Sequence, residues 1–172
     1  MPSLQSASGR LPSLSYSQDE RLTRQNIEDL GRIIASEARG SNETAQLMVG
    51  WTVINRMKRR HLRSVSVVWQ HNNYAHNHPA TTISRRIAES LLSGQARDIS
   101  QGATLFYSPL SMPKEGDTNL HGFDIGSGLE SVDGVRDRSG KPIRNYVPGW
   151  AQDGRRVRVF NVPEKEFKFY RE

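Results

Sequence analysis

The 172 residues contain no cysteine. Disulfide frameworks, thiolate zinc sites and thiol nucleophiles are excluded together, so any chemistry falls to carboxylates, hydroxyls or imidazoles. No stretch approaches the roughly 20 consecutive apolar residues that a spanning helix needs, and Met1 to Tyr16 is too polar to supply the apolar part of a secretory signal. The chain is therefore expected to be soluble. A G-x-S-x-G elbow and a phosphate-cradling glycine loop are both missing, which leaves serine hydrolase and nucleotide chemistry weakly supported. No internal repeat or heptad runs through the chain.

The chain is the length of one ordinary domain. Apolar residues make up 35% and charged residues 24% of it, enough for a core, while a mean hydropathy of −0.67 leaves room for sizeable polar loops. The formal net charge is +6 and the isoelectric point is near 10.0. An anionic partner follows: nucleic acid, an anionic membrane or an acidic polysaccharide.

Residues 1–16 read as a flexible N-terminal arm and 17–172 as a single domain, with Ser17 and Glu20 as a capping box where order begins. Ile27, Leu30, Ile33, Ile34 and Ala38 predict a helix over Asn26–Ala38, stopped by a left-handed Gly40, with Ser41 or Asn42 capping the next. That second helix, about Glu43 to Arg60, is apolar nearly all round and reads as the buried central helix. The cations from Lys58 to Arg63 suit its negative end. A short segment Val65 to Gln70 follows, then an amphipathic helix Thr82–Ser93 with Ile83, Ile87 and Leu91 on one face and Gly94 closing it. Leu105-Phe106-Tyr107 predicts a short strand, and Val157–Val162 with Phe167–Tyr170 predict two more. Between them, Ser111–Gly149 holds seven of the 14 glycines and few clustered apolar residues, which reads as a long irregular loop, a mobile flap.

Glu37 is the most informative position. It lies seven residues beyond Leu30, about 700° of helical rotation and within about 20° of the same direction, so its carboxylate points along the apolar stripe. Partial desolvation there raises a carboxyl pKa, which a general acid on a glycosidic oxygen requires. The other role open to it is an ion pair with Arg39 or Arg56. His71, His76 and His78 lack the spacing of a metal site and read as incidental loop residues. The aromatics Trp69, Tyr74, Phe106, Tyr107, Trp150 and Tyr170 suit sugar and nucleic-acid sites equally, and each singly is more at home in a core.

Together, Ile33-Ile34-Ala-Ser-Glu37-Ala-Arg-Gly40, Val49-Gly50-Trp51-Thr52-Val53-Ile54-Asn55-Arg56, Val67-Val68-Trp69-Gln70 through Tyr74, Gly102 through Pro109 and Phe167-Lys168-Phe169-Tyr170 resemble the cell wall hydrolase family that includes the spore-cortex-lytic enzymes. The resemblance spans about Asn26 to Tyr170, and its first block is the most specific. It implies a lysozyme-like, mostly helical fold; with the strands and loop read from the residues, the expected class is mostly α (α+β), a helical domain with a short C-terminal β-hairpin and a long irregular loop. It also implies cleavage of peptidoglycan glycan strands, commonly as a lytic transglycosylase, with Glu37 as catalytic acid. Asn55 or Arg56 is expected to position Glu37, and Gln70, Phe106, Tyr107 and Tyr170 to line the cleft. The chain departs from the family pattern where Ser41-Asn42 precedes Glu43, and in its long loop, whose Glu115, Asp117, Asp124, Glu130, Asp133 and Asp137 offer a second carboxylate for a hydrolytic muramidase.

No cofactor or metal is expected. The implied partners are glycan strands and, for a secreted effector, a cognate inhibitor or immunity protein; no nucleic acid and no membrane span are expected. Without a signal segment, action in the periplasm or cell wall calls for a secretion apparatus or phage lysis machinery. The rivals are a nucleic-acid-binding module using Lys58–Arg63 and Arg155–Arg158, and an inactive wall-binding or phage structural module.

Overall fold

The computed structural model describes residues 21–72 and 74–172; the expected arm and the Ser17–Glu20 capping box lie outside them. Among the described residues, four helices precede a set of short antiparallel strands, an α+β arrangement. Helix α1 spans Arg24–Ala38, starting two residues before the expected position because the Thr23 hydroxyl accepts the Asn26 N–H at 3.0 Å. Its end departs from expectation as well. Arg39 stays helical at φ −56° and ψ −36°, Gly40 is not left-handed, and the Ser41 N–H simply returns to Ala38 O at 3.0 Å.

Helix α2, Glu43–Arg59, is capped by Asn42, whose side chain accepts the Ala45 N–H at 2.9 Å. Met48, Val49, Val53 and Met57 are fully buried along it, as its near-continuous apolar pattern requires. Helix α3 runs Val65–Asn72. It is docked on α1 by Asn26, which donates to Arg63 O at 2.8 Å and accepts the Val65 N–H at 3.1 Å. Helix α4, Thr82–Leu92, opens on a Thr81–Ser84 capping box and closes at Gly94 with φ 78°. Ile83, expected on its apolar face, is half exposed; successive i+4 steps drift by about 40° each, which carries the first turn off the stripe. No helix among the described residues is long and apolar enough to cross a membrane.

Residues 74–80 lie across α1, and Gly31 makes the crossing possible. A Cβ at Gly31 would stand 2.9 Å from the Ala80 Cβ, an atom with no torsion to move it away. Gly31→Ala is therefore expected to lose stability although alanine favours a helix by about 1 kcal/mol, since overpacking typically costs about 1–3 kcal/mol. A urea midpoint above wild type would mean that the crossing segment yields.

Strands β1, Leu105–Tyr107, β4, Arg156–Val157, and β5, Lys168–Tyr170, form an antiparallel sheet in the order β1-β5-β4, with Phe106 opposite Phe169 and Tyr107 opposite Lys168. The expected C-terminal hairpin is present as β4 and β5, but β4 ends at Val157 instead of Val162, and Asn161 turns the chain at φ 66°. The sheet has two faces. Phe106, Val157 and Phe169 pack into the helical core, whereas Leu105, Tyr107 and Tyr170 pack with Val147, Trp150 and Ala151 in a second cluster.

Ser111–Gly149 is irregular only in its first half. It contains β2, Leu129–Arg136, and β3, Pro142–Tyr146, paired antiparallel from Leu129↔Tyr146 to Ser131↔Arg144 with a register shift before Arg136↔Pro142. Its base is fastened to the sheet. The Glu130 carboxylate accepts the Tyr107 hydroxyl at 2.5 Å, Lys168 Nζ at 2.5 Å and Asn145 Nδ2 at 3.1 Å.

Candidate active site

Helix α1 delivers Glu37 to the wall of a partly open cavity of about 290 Å³, with Arg56 of α2, Tyr74, Phe106 and Tyr107 of β1, Ser108, Ser111 and Phe167 as the other lining residues. Phe106 is the hub of the aromatic side, 6.0 Å from Tyr74 and 5.7 Å from Phe167 between ring centres. A small-molecule ligand suits a hollow of this kind, apolar on one side with a few polar groups on the other.

The Glu37 side chain is half-buried. Its Oε1 accepts the Ala75 backbone N–H at 2.7 Å, and no cation shares it among the described residues. Burial pushes its carboxyl above the ordinary value, and the Ala75 N–H, which favours the anion, offsets only part of that rise. The ion-pair role is thus not the one adopted. Arg39 is exposed at the helix end, and Arg56 is engaged elsewhere: its Nε donates to Thr104 O at 2.6 Å, lies 3.9 Å from a Glu172 oxygen, and its guanidinium stands 5.1 Å over the Tyr74 ring.

Phe106 and Tyr107 line the cavity beside Glu37, as expected of cleft residues; Arg56 lines it too, but its bonds go to Thr104 O and Glu172 and it does not position Glu37. Three other residues do not line the cavity. Asn55 points its amide to Ser100 Oγ and Ala103 O, both at 2.8 Å, and fixes the approach to β1. Gln70 is exposed on α3 and away from the cavity lining, because the docking of α3 through Asn26 turns Val65 and Val68 inward. Tyr170 is buried in the second cluster, on the sheet face opposite the helical core; it stacks at 6.0 Å on Tyr107, and burial holds its phenol above the ordinary value.

The residue that holds Glu37 is Ala75, through its backbone, and no side-chain pattern announces a backbone donor. Tyr74, Ser108, Ser111 and Phe167 were also not singled out as site residues. Alternation along Phe106-Tyr107-Ser108 was the available signal for Ser108. The histidines are dispersed: His76 stacks on Trp69 at 4.5 Å, and its Nδ1 lies 2.9 Å from Tyr74 O.

Of the six loop carboxylates, Glu130 alone touches a cavity-lining side chain, and its donors occupy both oxygens. Burial raises its pKa, but the bonds from Lys168, Tyr107 and Asn145 outweigh burial and hold it below the ordinary value. Glu115 pairs with Arg144. Asp117, Asp124 and Asp137 accept backbone N–H groups of their own turns or of Gly149, and Asp133 is exposed. The chain matches no family model, no curated protein and no solved structure.

Proposed function

We propose that this chain cleaves the glycan strand of bacterial peptidoglycan between N-acetylmuramic acid and N-acetylglucosamine, as a lytic transglycosylase. The observation that carries the reading is the state of Glu37: a carboxyl on the wall of a cavity, its pKa raised by burial, with no cation among the described residues to lock it as an anion. Glu37 gives its proton to the glycosidic oxygen as the bond to the muramoyl anomeric carbon breaks. As carboxylate it then takes the proton of the muramoyl 6-hydroxyl while that oxygen bonds to the same carbon. The product is a 1,6-anhydro ring, and water is not consumed.

A hydrolytic muramidase needs a second carboxylate free to act as nucleophile or to activate water. Of the loop carboxylates, Glu130 is the one bonded to a cavity-lining residue, and it is committed to three donors, which favours the single-carboxylate route. The nucleic-acid reading loses ground for a related reason. In its two basic stretches, Arg59 and Arg60 pair with Glu172, and Arg156 and Arg158 pair with Glu164. Action on this substrate belongs to the periplasm or cell wall, and a cationic surface suits its anionic polymers.

Mass spectrometry of digested sacculi tests the chemistry. Muropeptides ending in 1,6-anhydromuramic acid are expected. Only reducing-end muramic acid would replace the transglycosylase with a hydrolase, and free stem peptides on uncut glycan would mean an amidase.

A further inference from the structure

Two hydrogen bonds clamp the peptide unit joining Tyr74 to Ala75 from opposite edges. Its N–H donates to Glu37 Oε1 at 2.7 Å, and its carbonyl oxygen lies 2.9 Å from His76 Nδ1, which must carry the proton of that bond. The Tyr74 side chain anchors the same unit to α2. It is buried, its hydroxyl is 3.0 Å from Thr52 Oγ1, and Thr52 in turn donates to Val49 O at 2.7 Å, which leaves the Thr52 oxygen to accept the phenol proton. A peptide plane held at its side chain, its carbonyl and its N–H has little freedom to rotate.

We infer that Tyr74, anchored by Thr52, is the positioning residue of the site: through the Ala75 N–H it decides which oxygen of Glu37 carries the acidic proton. The inference rests on the proposed role of Glu37 as acid. A neutral carboxyl has one hydroxyl oxygen and one carbonyl oxygen, and an N–H donor bonds to the oxygen without the proton. With Oε1 engaged by Ala75, the proton is confined to Oε2, which has no hydrogen-bond partner among the described residues. Every protonated molecule then presents its acid on the same oxygen, in place of two interconverting forms of which one is unproductive. When Glu37 is ionised the same N–H stabilises the anion, so the clamp also eases release of the proton to the leaving oxygen.

The test is Thr52→Val with Thr52→Ser as the conservative partner, because Thr52 is fully buried and outside the cavity lining. The readout is the titration of the Glu37 carboxyl carbon by NMR, which needs no substrate. Other ionisable or charged groups at the cavity are Arg56 from α2, Tyr74, and Tyr107 from β1, backed by Glu172 on Arg56 and Glu130 on Tyr107, with Arg39 and His76 on the flanking chain; His76 is followed through its own ring signals in the same titration. Loss of the anchor loosens the N–H that favours the anion, so the Glu37 midpoint is expected to rise in Thr52→Val and to stay at the wild-type value in Thr52→Ser. Sacculus cleavage is expected to lose about tenfold in kcat with KM unchanged in Thr52→Val, since the change misplaces the acid and leaves binding groups in place. Should Thr52→Val fail to fold, Tyr74→Phe removes the other half of the same bond and carries the test.

A folded variant whose Glu37 midpoint stays at the wild-type value would overturn the positioning role. A raised midpoint in a protein whose wild type cuts no glycan would keep the clamp and discard the proposed reaction, so the two failures are distinguishable.

Discussion

Glu37→Gln is expected to abolish sacculus lysis, by at least about 100-fold, in a protein that folds as well as wild type or better. Glutamine preserves the shape of the side chain and an oxygen able to accept the Ala75 N–H, so packing along α1 is retained. Only the dissociable proton is lost. Stability moves the opposite way because burial opposes ionisation of the Glu37 carboxyl in the folded chain. A carboxyl whose folded pKa lies above its unfolded one favours folding fully below the unfolded value and loses that contribution as pH rises through the folded value. Above its folded value wild type has lost that contribution, whereas the amide never titrates.

The stability advantage of Glu37→Gln over wild type should therefore be absent at low pH, open as pH rises past the ordinary glutamate range, and level off above the folded value. Urea unfolding across a pH series reads this directly. A structural ion pair would give the reverse: a variant destabilised at neutral pH, with activity unaffected. Retained lysis by a folded Glu37→Gln protein would remove Glu37 from the mechanism.

The helices were legible because a period of 3.6 persists over 11 to 17 residues in α1, α2 and α4. The direction of Glu37 was legible by the same arithmetic, since it needs only its angle to Leu30. The β2–β3 hairpin was not. Val135 is the only fully buried residue of β2, and the register shift beyond Ser131 breaks the alternation that would have marked a strand. The cleft residues divide on similar grounds. Phe106 and Tyr107 follow from a strand at the cavity edge, but the exposure of Gln70 depends on how Asn26 docks α3, a tertiary event that residue type does not encode. Gly40 misled for a simpler reason: the turn after α1 closes through Ser41 without needing a left-handed residue.

Removing the Glu130 carboxylate is expected to be the most damaging change to stability away from the cavity. Glu130→Ala leaves Lys168, with 7% of its side chain exposed, buried without its counter-ion, takes the acceptor from the Tyr107 hydroxyl, and reduces the Asn145 amide to its bond with Tyr146 O. Stranding one partner of a buried pair costs about 3–5 kcal/mol. The lower end applies here, because 19% of the Glu130 side chain still meets solvent. Glu130→Leu with Lys168→Met should recover most of that loss, since an apolar pair of similar volume needs no desolvation, while the unpaired Tyr107 hydroxyl keeps recovery incomplete. The pH dependence has the sign opposite to that of Glu37. Hydrogen bonds hold the folded Glu130 carboxyl below its ordinary value, so its contribution is full above the unfolded carboxylate range and fades as pH falls through the folded value. The gap between wild type and Glu130→Ala should accordingly be widest near neutrality and narrow in acid. Hydrogen exchange locates the damage: amides of β2 and β3 should lose protection in Glu130→Ala before those of α1 and α2, because the lost bonds join the hairpin to β1 and β5 and leave the helical core untouched. Equal protection of the hairpin in both proteins would show that backbone pairing alone fastens it, and that Glu130 serves some other end.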